Sequence, residues 1–273
     1  MKKILAILTT LFVLTSSSYA SISVSPTKIE LNANKIRNNY ATCAIEVKGD
    51  SSAPMRFKAY AGYFTITDKS TMNIHSTKDD PHDISKKVRF VPSEFTVPPG
   101  KVQKLRVNVA NIKSLPDGES RALLFIEDVN VKEIDVANPM GIGAQLVLKT
   151  RVGVPIYVDK GKFTKKADVE YFNIIQGKDG KYTEAKIIST GNSRVRYGGK
   201  FQIIKDKKLI CEYAIDGKAV GDNNHYVAQQ KIPLDKLTEA GDYTVRMILT
   251  YFDEAEHKKV IKKDVILKIT GEI

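Results

Sequence analysis

Apolar and polar residues alternate along most of this chain, and the clearest run is 142–158, I-G-A-Q-L-V-L-K-T-R-V-G-V-P-I-Y-V. Ile142, Ala144, Leu146, Leu148, Val152 and Val154 share one parity, while Gly141, Gly143, Gln145, Lys149, Arg151 and Gly153 share the other. That period of two is the mark of a strand with one buried face. An ordinary strand has about 5–6 residues, so this run predicts a strand that spans two sheets or an edge that another segment uses. Upstream, strands are expected at 22–25, 28–31, 42–47, 55–64, 88–92, 95–97, 102–109 and 120–128. Pro26 interrupts the first alternation, which predicts an edge or a switch between sheets. Pro98-Pro99-Gly100 and Leu115-Pro116-Asp117-Gly118-Glu119 read as turns, and 65–87 and 129–140 as connections. No window repeats apolar residues at i, i+3, i+4 and i+7, so no helix is predicted.

After Val158 the run D-K-G-K-F-T-K-K (159–166) reads as a linker. Strands are then expected at 169–175, 182–189, 199–204, 209–215, 226–232, 243–251 and 260–269, with a hairpin turn at Lys178-Asp179-Gly180. Short strands at fairly even spacing predict an all-β fold of two immunoglobulin-like β-sandwich domains in tandem, 21–158 and 159–273. A chain of 273 residues, 42% apolar and 27% charged, can bury two ordinary cores.

Residues 1–20 predict the compartment. Met1-Lys2-Lys3 is basic, 4–14 is nearly all apolar, and Ser18-Tyr19-Ala20 supplies small residues before a cut, as in a secretory signal peptide. The apolar run is too short to span a bilayer, so no membrane insertion is expected. Cys43 and Cys211 fall in different expected domains, each inside an apolar run, which favours two buried free thiols over a disulfide. The formal charge of +12 falls to +10 without Lys2 and Lys3. Its lysines are scattered through both halves, without a nucleic-acid motif or a basic amphipathic helix, so nucleic acid is not an expected partner. Asp79-Asp80-Pro81-His82-Asp83 lacks the ligand alternation of a calcium loop and reads as a solvated turn, in a connection long enough to move. No metal and no cofactor are expected. G-x-S-x-G, H-E-x-x-H and the phosphate loop are missing, and Gly141-Ile142-Gly143 precedes a strand instead of joining a strand to a helix. An enzyme is the weakest reading.

Four segments together resemble a known family. They are S-P-T-K-I-E-L (25–31), F-V-P-S-E-F-T-V-P-P-G-K-V-Q-K-L-R-V (90–107), L-P-D-G-E-S-R-A-L-L-F (115–125) and L-V-L-K-T-R-V-G-V-P-I-Y-V (146–158). With the signal peptide, they are similar in order and spacing to the periplasmic pilus chaperones of the chaperone/usher pathway, the PapD-like family, in a divergent or archaic-type form. The resemblance implies two immunoglobulin-like domains set at an angle, with no cofactor. It also implies donation of alternating apolar residues to a pilin subunit, here Ile142, Ala144, Leu146 and Leu148. In that family two basic residues in the cleft anchor the subunit's terminal carboxylate. The first corresponds to Lys28; the second falls on Gly153, which leaves Arg151, two residues earlier on the same face, as the candidate. Glu119 and Asp242 resemble acidic members of the interdomain ion network, whose basic partner falls on Tyr157.

The expected function is that of a non-enzymatic periplasmic chaperone, with pilin or fimbrial subunits and an outer-membrane usher as partners. The alternative is a structural or adhesive cell-envelope protein that reuses the same scaffold.

Overall fold

The computed structural model describes residues 21–50, 53–75, 79–130, 132–137 and 143–270. The expected signal peptide and Ile142 lie outside them. The chain runs through β1 (Ser21–Ser25), β2 (Ile29–Asn32), β3 (Tyr40–Asp50), β4 (Met55–Ile66), β5 (Met72–His75) and β6 (Val88–Val91). It continues through β7 (Glu94–Val97), β8 (Val102–Ala110), β9 (Gly118–Asp128), β10 (Lys132–Ala137), β11 (Gly143–Leu148) and β12 (Arg151–Lys160). One sheet has the order β1-β3-β8-β6; the sheet packed on it has the order β2-β12-β9-β4-β5, with β7 also on β4. Pro26 acts as the switch: β1 pairs antiparallel with β3 in one sheet, and β2 pairs parallel with β12 in the other.

Ile45, Val47, Leu105 and Val107 of the first sheet pack with Phe57, Leu124, Ile126, Val154 and Ile156 of the second, all fully buried. β9 is buried on both faces. Ala122, Leu124 and Ile126 enter this core, while Leu123 and Phe125 join Phe64, Ile66 and Tyr157 in a smaller apolar cluster on the opposite face. A strand covered on both sides reads as a continuous apolar run, as A-L-L-F-I does here.

The expected single strand over 142–158 is two strands. Pairing stops at Lys149 and Thr150; β11 forms a ribbon with β10, while β12 joins the main sheet. The register changes at the same level: Glu127 faces Arg151 but Lys132 faces Leu148, a shift of two residues between the two pairs, and the Asp128 carboxylate accepts from Asn130 N (2.9 Å). The expected connection over 129–140 therefore contains β10, and that over 65–87 contains β5. Nor is 79–84 a solvated turn. Tyr63 OH donates to Asp80 (2.5 Å), Arg121 N donates to His82 O (2.8 Å), Ile84 N donates to Arg121 O (3.1 Å), and Ile84 is fully buried. Those bonds fasten the segment along β9.

The second sandwich contains β13 (Ala167–Gly177), β14 (Gly180–Ser189), β15 (Val195–Lys205), β16 (Lys208–Val220), β17 (His225–Lys231), β18 (Gly241–Phe252) and β19 (Lys258–Ile269). Its sheets have the orders β13-β14-β17 and β16-β15-β18-β19. The core includes Phe172 stacked on Phe201 (5.8 Å between ring centroids), with Ile203, Val245, Met247 and Leu249. Asp206 and Lys207, both at positive φ, make the two-residue turn between β15 and β16 that matches strand twist. Cys43 on β3 and Cys211 on β16 are free thiols, one in each sandwich. The expected linker starts late: Asp159 and Lys160 still belong to β12, so the connection is 161–166. On edge strand β19, Lys258, Lys259, Lys262, Lys263 and Lys268 place like charge where another strand would pair, which blocks edge-to-edge association.

Ile126, near the end of β9, is fully buried in the first core. Ile126→Ala is expected to lose about 2–5 kcal/mol, read as a lower urea midpoint for the first sandwich.

Candidate functional site

One face of the β2-β12-β9-β4 sheet carries the candidate site. Directly paired residues of adjacent strands point to the same face. The register of β9 with β12 therefore sets out rows: Glu119 with Asp159, Arg121 with Tyr157, Leu123 with Pro155, Phe125 with Gly153, and Glu127 with Arg151. β2 adds Glu30 beside Tyr157. The face is ionic near the second sandwich, apolar in the middle and ionic again at the far end.

At the near end the two sandwiches share a chain of alternating charges. Glu30 accepts from Arg194, Arg194 donates to Glu119, Glu119 lies beside Arg121 (Oε1 to Nε 3.7 Å), and Arg121 donates to Asp222. Arg194 also stacks on Tyr157, its guanidinium carbon 3.3 Å from the ring centroid. The side chains of Glu119, Arg121 and Arg194 are almost wholly removed from solvent. Burial pushes the Glu119 carboxyl up, against Arg194 and Arg121. Burial also opposes the charge on Arg194, but Glu119, Tyr157 and Glu30 outweigh it and the guanidinium stays cationic. Ser193 donates to Asp159 (2.7 Å), Lys165 pairs with Asp159 (2.8 Å), and Asn224 donates to Ile66 O (2.9 Å). Glu119 N donates to Asn192 O (3.0 Å). At Gly118, φ is +105° and a Cβ would lie 2.8 Å from Asn192 O, so this approach requires glycine.

The structure places Glu119 at the centre of this network. Asp242, expected beside it, is exposed at the start of β18 opposite Lys268 and lies outside the network. At Tyr157 the network's cation comes from the second sandwich, where Arg194 lies on the Tyr157 ring. Arg194, Arg121 and Asp222 were not legible as a set, because they come together only when the two sandwiches meet. The remaining signal was the alternation Arg194-Val195-Arg196 at the start of β15.

Lys28 and Arg151 are not brought together. Lys28 precedes Ile29, which pairs with Ile156, whereas Arg151 pairs with Glu127. The register separates them by about 13 Å at about 3.3 Å per residue. Arg151 lies over the Phe125 ring (4.4 Å) and donates to Tyr60 OH (2.9 Å). Tyr60 donates in turn to Glu127 (2.7 Å), which also pairs with Lys149 (2.6 Å). At Gly153 a Cβ would lie 3.0–3.4 Å from three atoms of the Leu123 side chain, which packs against the position. Lys28 pairs with Glu30 (2.6 Å) at a cavity of about 220 Å³, where Lys165, Arg194 and Arg196 add positive charge. Burial alone would lift the Glu30 carboxyl; Lys28 and Arg194 hold it below the usual range.

Ala144, Leu146 and Leu148 occupy alternate register positions of β11, opposite Val136, Ile134 and Lys132 of β10. Among the described residues, β11 has no strand on its other side, and β12 meets β2 on that side at Ile156–Asp159 alone. The edge from β11 to Pro155 is open.

No protein-family model matches the chain, and no curated protein matches it. Solved structures align with it along most of its length. The YadV chaperone is 12% identical over 90% of this chain and 99% of its own, with a TM-score of 0.46. The class 5 fimbriae chaperone CfaA is 12% identical over 89% and 99%, also at 0.46. The CsuC–CsuE chaperone–tip adhesion subunit pre-assembly complex, from archaic chaperone-usher Csu pili of Acinetobacter baumannii, matches at 11% over 89% and 98%, at 0.46.

Removing Arg194 would leave Glu119 buried without its closest cation. Arg194→Ala is expected to cost about 3–5 kcal/mol and to split the calorimetric melt into separate transitions for the two sandwiches. Arg194→Lys should recover part of the loss, because a single ammonium does not reproduce a fork between two carboxylates.

Proposed function

We propose that this chain is a periplasmic chaperone of a chaperone/usher system. It holds pilin or fimbrial subunits by strand addition and passes them to an outer-membrane usher. The observation that carries the reading is the open edge of β11 and the first half of β12. That edge follows the segment whose sequence resembles the donor strand of pilus chaperones. In strand addition a guest's backbone groups complete the ladder, while alternate side chains fill its apolar groove and give specificity. Ala144, Leu146 and Leu148 stand at the alternate positions this needs, with Ile142 next in the same parity. The work is binding, so the mechanism asks for no catalytic residue, metal or cofactor. Export by a cleaved signal peptide fits the first twenty residues.

Lys28 keeps its place as a carboxylate anchor in this reading, and its partner is Arg196, which lines the same cavity. Arg151 serves instead at the base of the β10–β11 ribbon, tied to Tyr60 beside Glu127 and Lys149. A second reading, a structural or adhesive envelope protein on this scaffold, draws on the glycine at 153 and on the neutralisation of Lys28 by Glu30. Such a protein needs no guest.

Leu146→Asp places a charge in the middle of the donated face. It is expected to abolish recovery of subunits with the chaperone from the periplasm while circular dichroism stays unchanged. Full subunit recovery by this variant would sink strand donation. Native mass spectrometry of the wild-type protein from fibre-producing cells separates the readings: a one-to-one complex with a small secreted β-rich protein supports the chaperone, and a homopolymer supports the structural protein.

A further inference from the structure

Three cations in the cleft converge on one carboxylate. Glu30 takes Lys28 on Oε2 (2.6 Å) and Arg194 on Oε1, with Arg196 Nε 3.9 Å from the same Oε1. The other acids lining the cavity are engaged elsewhere: Asp253 pairs with Lys259 (3.0 Å) and Glu256 with Lys35 (3.0 Å). Lys165 pairs with Asp159. Among the described residues, Lys28 and Arg196 therefore have Glu30 as their ion-pair partner and no other acid. The cavity lining carries four cations against three carboxylates, and Lys28 and Arg196 share the one carboxylate of Glu30.

The members differ in how firmly they are held. Arg194 is buried and keeps Glu119 whatever Glu30 does. The side chains of Lys28, Glu30 and Arg196 are 38%, 43% and 48% exposed, and β2 is the edge strand of its sheet. A rotamer change that swings Glu30 into solvent strands no buried charge, so it avoids the large desolvation penalty of breaking a buried pair. It would leave an ammonium and a guanidinium beside a cavity of about 220 Å³, large enough for a small carboxylate to take a two-pronged bond from Arg196.

We propose that Glu30 is a built-in, displaceable occupant of this cleft, and that Lys28 and Arg196 accept an external carboxylate, such as a free peptide C-terminus, by exchange with it. The inference rests on the proposed chaperone function for the identity of that carboxylate. The empty protein then keeps its cleft self-neutralised, and a guest must compete with Glu30. A group that blocks a site most of the time lowers apparent affinity by the fraction of time the site is free.

Acetate titration of the mature protein, against chloride at equal ionic strength, tests the exchange through the side-chain N–H signals of Arg194 and Arg196. Glu30→Gln is expected to bind acetate at least about fivefold tighter than the wild type. The shorter Glu30→Asp should fall between the two, and decides the question if the glutamine variant folds poorly. Adding Lys28→Met to Glu30→Gln should remove the gain. Acetate affinity that does not rise when Glu30 is altered would overturn the proposal. Subunit recovery by the wild type keeps the two ideas apart. Recovery without a gain in Glu30→Gln overturns the exchange alone; a gain without any recovery overturns the chaperone reading and leaves the exchange standing.

Discussion

Glu119, Arg121 and Arg194 are withdrawn from water together, and the relation between the sandwiches depends on their balance. A buried charge is tolerable only when an opposite charge and hydrogen bonds replace its hydration. Here carboxylates and cations alternate, from Glu30 through Arg194, Glu119 and Arg121 to Asp222. Such a chain depends on how the sandwiches meet: a rotation that moved Arg194 away would take the closest cation from Glu119, and one that moved Asp222 would take the hydrogen-bonded carboxylate from Arg121. Apolar contacts alone are non-directional and would fix the angle less sharply. The Tyr157 ring adds a flat surface for the guanidinium.

This network also explains why β9 is buried on both faces. Its inward residues build the first core, and its outward residues form, in order, the ionic junction, the apolar patch of Leu123 and Phe125, and the carboxylate that fastens Tyr60 and Lys149. One strand thus links the core, the contact with the second sandwich and the base of the β10–β11 ribbon. A change at β9 is felt in all three places because its neighbours differ on its two faces.

Period-two alternation made most of the strands legible, and proline 26 made the sheet switch legible, because these signals are local. The break at Lys149-Thr150 was not legible, since the alternation continues across it; it lies in the two-residue shift of register against the facing strands. The strand at Met72–His75 was hidden in a polar connection, because an edge strand with both faces exposed has no apolar period to show. Of the expected network members, Glu119 stands in the junction and Asp242 does not. Arg194 and Asp222 escaped because their roles exist only where two separately folded surfaces meet. Fold is written in near neighbours along the chain, whereas the cleft depends on residues more than 70 positions apart, as Glu119 and Arg194 are.

Gly153 leaves the middle of the face without a charge on β12. With the Leu123 side chain packed against Gly153, the middle of the face is apolar. Positive charge is instead supplied by Arg194 and Arg196 from the second sandwich, on the other side of Tyr157. A cation on β12 would be held by the first sandwich alone, but Arg196 reaches the cavity only while the sandwiches hold their angle. The geometry that pairs Glu119 with Arg194 is therefore the geometry that assembles this basic corner, and Glu30, bonded to Arg194 and Lys28 alike, belongs to both.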